Sequence, residues 1–363
     1  MIQGHGDDRY RFQRPILADF SSNVYSHVDL EPLKAHLRDR LDVIGRYPEP
    51  EPYALEKALA ARLSIDPAAV CVTSGATEAI YLIAHAFKGS HSTILAPTFS
   101  EYADACALYA HYTAFRSLLH SENPSERNGG WYPAQRLFLG SKTDTRAAER
   151  ALVWLCNPNN PTGQVIPKKE LTEAIEEHPE TIFVIDQSYG FFTQEPLLSA
   201  EGAVRYPNVI QLHSMTKRYA MPGLRLGYVT AHPQLVEQIR SVRMPWSVNA
   251  LAVEAGLYLC SHPDTAPIDL SALLAETRRL REALNALPGV TAEPTQTHFF
   301  LCRLAKGRAA ELKQWLAENH GILIRDAANF KGLDEGCFRI ATQTPEENDR
   351  LVDAVRHYLE ERR

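Results

Sequence analysis

Between residues 70 and 231 the chain alternates continuous apolar runs with helix-forming segments, and this restricts the fold more than any other feature. The runs are AVCVTS at 69–74, STILAP at 92–97, TAFRSLL at 113–119, ALVWLCNP at 151–158, TIFVIDQSY at 181–189, NVIQLHS at 208–214 and LRLGYVTA at 224–231. An uninterrupted apolar strand is covered on both faces, and helices between such strands supply the crossovers of a mostly parallel sheet. The pattern therefore predicts an α/β chain whose three-layer large domain holds about seven strands. In such sheets ligands lie beyond the C-terminal ends of the strands. Ser74, Pro97, Asn157, Asp186 and Ser214 all stand where a run stops.

The flanks read differently. Residues 1–30 are polar and turn-rich, an arm that we expect to lie with the small domain and the active site. Residues 31–250 form the large domain, with helices over 31–41 and 54–63 around the proline-rich RYPEPEP at 46–52. Residues 251–363 read as a smaller α+β domain, with a helix over 271–287, a strand in THFFLCRL at 297–304, a helix over 309–319 and a terminal helix from Glu346. Residues 121–150 carry no readable pattern.

A chain of 363 residues exceeds the usual single core, so two domains are expected. The formal charge of −6, with no lysine/arginine block, gives no reason to expect a nucleic acid. No run reaches the length of a membrane span, and MIQGHGDDRY is not signal-like. Six scattered cysteines without a C-x-x-C pair read as buried thiols, which fits a cytoplasmic location and no metal site.

The chemistry concentrates in QLHSMTKRYAMPGLRLGYV, residues 211–229. Lys217 lies in a polar loop between two short strands. Desolvation there would lower its pKa and suit it to an imine with a carbonyl cofactor, whereas on a surface turn it would be an ordinary lysine. Ser214, Thr216 and Arg225 are fitting partners for a phosphate. Gly75, Ala76 and Thr77 open a helix directly after a strand, which places free N–H groups and a positive dipole end at the same edge, although an ordinary helix start looks the same. Asp186 ends an apolar strand and can hold a protonated ring nitrogen, or cap a turn. Tyr189, Asn160 and Phe99 offer a phenol, an amide donor and a flat ring. Arg325 and Arg339 sit in the apolar runs ILIRDAANF and CFRIATQ. They are clamps for an acidic substrate, or ion-pair partners of Asp326 or Glu335.

Taken together, SGATEAI at 74–80, PTF at 97–99, NPNNPTG at 157–163, DQSY at 186–189 and SMTKRYAMPGLRLGY at 214–228 resemble fold-type I pyridoxal-phosphate enzymes of the class I/II aminotransferase superfamily. Five weak motifs in one order are specific where each alone is not. The resemblance implies that Lys217 carries the cofactor, pyridoxal 5'-phosphate, and shuttles protons. It implies that Asp186 pairs with the ring nitrogen, that Tyr189 and Asn160 bind the ring oxygen, and that Phe99 stacks on the ring. Gly75, Ala76, Thr77, Ser214, Thr216 and Arg225 then hold the phosphate. Tyr47 of RYPEP would reach it from the neighbouring subunit of a homodimer. GHGDD at 4–8, DFSSN at 19–23 and residues 321–348 are more similar to the L-threonine-O-3-phosphate decarboxylase subfamily than to histidinol-phosphate aminotransferases. That implies a carboxy-lyase of cobalamin biosynthesis acting on a phosphorylated amino acid, with Arg325, Arg339, His5 and Asn23 at the substrate. The alternatives are a histidinol-phosphate aminotransferase and, more remotely, a non-enzymatic cofactor-binding regulator. His213 and the Val24–His27 segment depart from both subfamilies.

Overall fold

The computed structural model describes residues 6–118 and 151–362, so residues 121–150 and His5 lie outside it. Its strands, in chain order, begin with β1 (Ala18–Asp19), β2 (Val70–Thr73), β3 (His91–Ala96), β4 (Tyr112–Ser117), β5 (Ala151–Cys156) and β6 (Thr181–Asp186). They continue with β7 (Val209–Ser214), β8 (Gly227–Ala231), β9 (Val290–Ala292), β10 (Phe299–Leu304), β11 (Ile322–Leu323), β12 (Arg325–Asp326) and β13 (Cys337–Ala341).

The expected sheet is present, with seven strands in the order β2-β8-β7-β6-β5-β3-β4. Strands β4, β3, β5, β6 and β7 run parallel, so their C-terminal ends share one edge. Strand β8 is antiparallel to both neighbours. Residues 215–226 explain this reversal. They hold only the helical turn Met215–Arg218 and the 3-10 turn Pro222–Leu224, which return the chain at the edge it left instead of crossing the sheet. Both faces are buried, as continuous apolar runs require. Along β5, Leu152, Trp154 and Cys156 join one core and Val153 and Leu155 the other, the strand period of two.

A second sheet, β12-β13-β10-β9, is antiparallel throughout. Phe300, Cys302, Phe338 and Ile340 pack there against Leu280, Leu312 and Leu351 of three helices, Leu270–Asn285, Ala309–His320 and Pro345–Glu361. The arm is sewn into this unit. Strand β1 pairs in parallel with β11, and Phe20 donates to Leu323 and accepts from Ala341, at 2.8 and 2.9 Å. Its ring is fully buried in the same core. Helix Ala250–Ser261 was not read from sequence. It packs Ala252, Ala255 and Leu259 against Leu55, Leu59 and Val70, the core beside the large sheet. The division 31–250 and 251–363 remains our proposal, with the first helix after it packed on the large-sheet core.

All six cysteines are free thiols, and every one except Cys260 is buried. Among the described residues no helix is long and apolar enough to cross a membrane.

The loop after β5 is tied to the small sheet through Gly163. Its φ is +72°, and an added Cβ would lie 2.0 Å from Thr295 Oγ1 and 2.4 Å from the Phe299 carbonyl oxygen. A side chain here is strained and has no space, and the obstacle is partly backbone. Gly163→Ala is expected to destabilise the protein by about 2–4 kcal/mol, read as a shift in the urea midpoint at unchanged slope.

Candidate active site

At the shared edge of the parallel strands lies a cavity of about 350 Å³, bounded on its far side by the arm and the small sheet. Lys217, on the one-turn helix after β7, projects into it, and its Nζ donates to the Ser22 carbonyl at 2.9 Å. The cavity gives the side chain some access, while protein surrounds it elsewhere. Desolvation, then the positive charges of Arg339 and Arg225, lower its pKa to about 8.

Asp186 ends β6 on the floor, almost fully buried. Tyr102 donates its hydroxyl to Oδ2 at 2.7 Å and the Ser188 N–H donates to Oδ1 at 2.8 Å. Burial still raises its pKa, because these bonds and the charge of Lys217 do not offset desolvation. The floor thus holds a carboxylate that calls for a cation. Tyr102 was missed from sequence. It is the second residue of helix Glu101–Leu108, edge-on to Phe99 and stacked on Trp154, and reads as core.

The phosphate-type cradle is complete in outline. Helix Gly75–Ala86 starts at the edge with no side-chain cap on its first N–H groups, and Ala76 and Thr77 line the cavity. Gly75 has φ +80°, and an added Cβ would lie 2.6 Å from Nη2 of Arg225, so the guanidinium rests directly on the backbone. Thr216 Oγ1 is buried without a hydrogen-bond partner, and Ser214 lines the same wall.

On the opposite wall Arg339, on β13, donates to Asn160 Oδ1 and the Ser21 carbonyl. Arg325, on β12, donates to the Asp326 carbonyl and, at 2.8 Å, to Asn329 Oδ1, with its guanidinium 5.1 Å from the Phe330 ring centre. Their relative exposures are 5% for Arg325 and 4% for Arg339, so both are removed from water. Burial, then mutual repulsion, lowers Arg325 to about 9, and burial lowers Arg339 to about 10. Neither has an ion pair to a carboxylate among the described residues. Glu335 pairs with Arg308, and Asp326 offers Arg325 only its backbone oxygen. Pairing with the Asp326 or Glu335 carboxylate, which the sequence left open, is thus not seen among the described residues.

Tyr189 is buried against Phe299 at 4.7 Å, and burial raises its phenol. Asn23, at φ +54°, lies beside it and lowers that phenol, yet both amide atoms lack a partner of hydrogen-bond geometry. Arg9 also lines the cavity, bound to Asp7 at 2.5 Å and Asp19 at 3.2 Å. An arginine in a polar arm carries no periodic signal, which is why sequence reading passed over it. Tyr47 is elsewhere, 85% exposed and 5.5 Å from the Trp246 ring. His213 turns away from this cavity to stack on Tyr228 and bond Thr230 Oγ1 at 3.0 Å. In the Val24–His27 segment, Val24 and Ser26 line the cavity and His27 pairs with Glu347 at 2.7 Å.

Comparison with known proteins gives a consistent picture. The family model "Aminotransferase class I and II" matches residues 15–355. Threonine-phosphate decarboxylase of Salmonella typhimurium is 30% identical over 347 residues, 94% of this chain and 91% of that protein. Histidinol-phosphate aminotransferase of Caldanaerobacter subterraneus subsp. tengcongensis is 30% identical over 320 residues, 87% of this chain and 85% of that protein. The crystal structure of L-threonine-O-3-phosphate decarboxylase from Porphyromonas gingivalis superposes with a TM-score of 0.84 at 38% identity, covering 95% of this chain and 100% of that one.

Proposed function

Because this chain belongs to the aminotransferase class I and II family, we propose that it is a pyridoxal-phosphate enzyme that decarboxylates L-threonine O-3-phosphate to 1-amino-2-propanol O-phosphate. The observation that carries the substrate class is the pair of buried arginines, Arg325 and Arg339. They face the cavity of Lys217, and among the described residues neither makes an ion pair with a carboxylate. Two buried guanidinium groups without a direct carboxylate partner favour a ligand with two anionic groups, such as the carboxylate and phosphate of a phosphorylated amino acid.

The cofactor is pyridoxal 5'-phosphate, and the residues present fit it at both ends. The unpartnered Thr216 Oγ1, the helix start at Ala76–Thr77 and Arg225 resting on Gly75 suit a phosphate. The undercompensated Asp186 suits a protonated ring nitrogen. When bound, the cofactor supplies an electron-withdrawing ring that weakens one bond at the substrate's α-carbon.

The chain's own part follows from its electrostatics. Lys217, with a pKa of about 8, presents a useful fraction of neutral amine near neutral pH and can accept or return a proton at Nζ. The attachment rate of cofactor to apoprotein is expected to rise with pH and to level off above about 8, as the ammonium form disappears. Tyr102 and the Ser188 N–H hold Asp186 in place. Tyr189 and Asn160 would bind the ring oxygen, and Phe99 would form the flat wall. Arg325 and Arg339 would orient the substrate, and the anion each one takes decides which α-carbon bond stands across the ring. Replacing Arg325 or Arg339 by Gln is expected to lower kcat/KM roughly 10²-fold, with most of the loss in KM, measured by steady-state kinetics.

We also propose a homodimer in which Tyr47 completes the neighbouring site. Exposed Ile44, Tyr47, Met244 and Trp246 support a contact surface there. The transaminase reading rests on the match to histidinol-phosphate aminotransferase. The deciding experiment incubates holoenzyme with L-threonine O-3-phosphate and traps CO2. Release of CO2 with an amino-alcohol phosphate supports decarboxylation. Keto-acid formation without CO2, or turnover of histidinol phosphate with 2-oxoglutarate, overturns it.

A further inference from the structure

A second cavity, of about 320 Å³, adjoins the catalytic one. Lys217 lines the first cavity and its neighbour Arg218 the second, while Ser188 and Ser214 line both. A single layer of side chains therefore separates them.

Arg218 is the unusual member. Its guanidinium carbon lies 4.3 Å from the Phe191 ring centre and 4.9 Å from that of Tyr219. Among the described residues it makes no hydrogen bond and no ion pair, although it is half-buried and burial lowers its pKa. Ring faces attract a cation, but they do not satisfy its N–H donors. Arg62 adds a second positive charge to the lining, held by its bond to the Leu259 carbonyl at 2.6 Å. His213, half-buried and stacked on Tyr228, stays neutral near pH 7, its pKa lowered by desolvation to about 4. No aspartate or glutamate lines this cavity among the described residues. Its remaining surface is apolar at Leu59, Leu197 and Leu198 and hydroxyl-bearing at Ser199 and Tyr228.

A guanidinium with unused donors above an apolar floor is complementary to one chemistry, a carboxylate or phosphate head on a small apolar body. We propose that this cavity is a second ligand site, in which Arg218 binds the head of a small organic anion and Leu59, Leu197 and Leu198 hold its body. It is distinct from the substrate site because its cation and apolar lining differ, although Ser188 and Ser214 line both, and it does not depend on which reaction the enzyme catalyses.

The test is calorimetric titration of holoenzyme with benzoate and, separately, phenyl phosphate, which distinguishes a carboxylate source from a phosphate source. Wild type is compared with R218Q, L197W and R325Q. The expected result is a binding event that persists in R325Q and weakens at least tenfold in R218Q. It should also be lost in L197W, where the bulk fills the cavity and Arg218 is intact. Equal binding by R218Q and wild type, or events abolished only by R325Q, overturns the proposal. L197W keeps the test decisive if R218Q is unstable.

Discussion

Lys217→Ala is expected to reduce kcat by roughly 10⁴-fold or more and to abolish the covalent link between chain and cofactor. Both effects trace to one atom. Among the described residues the Lys217 Nζ is the only lysine amine on the cavity lining, and its position is set by β7, the turn Met215–Arg218 and the Ser22 carbonyl. Among the described residues lining the cavity, the other cationic side chains are guanidinium groups, which are poor proton carriers. The measurement is protein mass after borohydride reduction of holoenzyme, alongside turnover of L-threonine O-3-phosphate. Cofactor mass retained on the chain in the variant, or activity within tenfold of wild type, would overturn the assignment. Lys217→Arg separates charge from chemistry. It restores the cation that Ser22 accepts from and should restore no turnover.

The second large effect belongs to Asp186. Asp186→Ala removes the negative charge at the cavity floor and leaves the Tyr102 hydroxyl and the Ser188 N–H facing a void. The loss of a preorganised electrostatic partner predicts a fall in kcat of roughly 10²–10³-fold. The two orphaned donors predict an added stability loss of about 1–3 kcal/mol. The two contributions separate in Tyr102→Phe, which removes one donor to Asp186 and leaves the charge. Tyr102→Phe should lower kcat far less than Asp186→Ala while moving its pH profile, because Asp186 loses a bond that favours its ionised form. An unchanged pH profile and an unchanged rate in both variants would remove Asp186 from the chemistry.

These residues were not equally visible in the chain. Lys217, Asp186 and the Gly75–Thr77 turn were legible because each marks the end of an apolar run, and strand ends in a parallel sheet share one edge. The arginines were legible as anomalies, charges inside apolar strands, but their partners were not. Only the fold reveals that Arg325 meets a carbonyl and an amide instead of the Asp326 carboxylate. Tyr102 could not be found, since its link to Asp186 spans 84 positions and its surroundings are apolar. Arg9 likewise depends on how an irregular arm folds back. The reversal of β8 was hidden for a different reason. An apolar run has no direction, and only the tightness of residues 215–226 decides it.

The arm has a consequence for how the protein is made. Arg339 and Ser21, which meet across the cavity, are 318 positions apart, and β1 has no partner until β11 exists. At usual elongation rates the arm therefore waits roughly 15–60 s on the ribosome before residues 322–341 are synthesised. The large sheet can close during that interval, but the site cannot. Phe20, just after β1, finds its buried site only once the C-terminal helices and β13 are in place. Closing the active site therefore depends on long-range pairing, the kind of contact that slows folding.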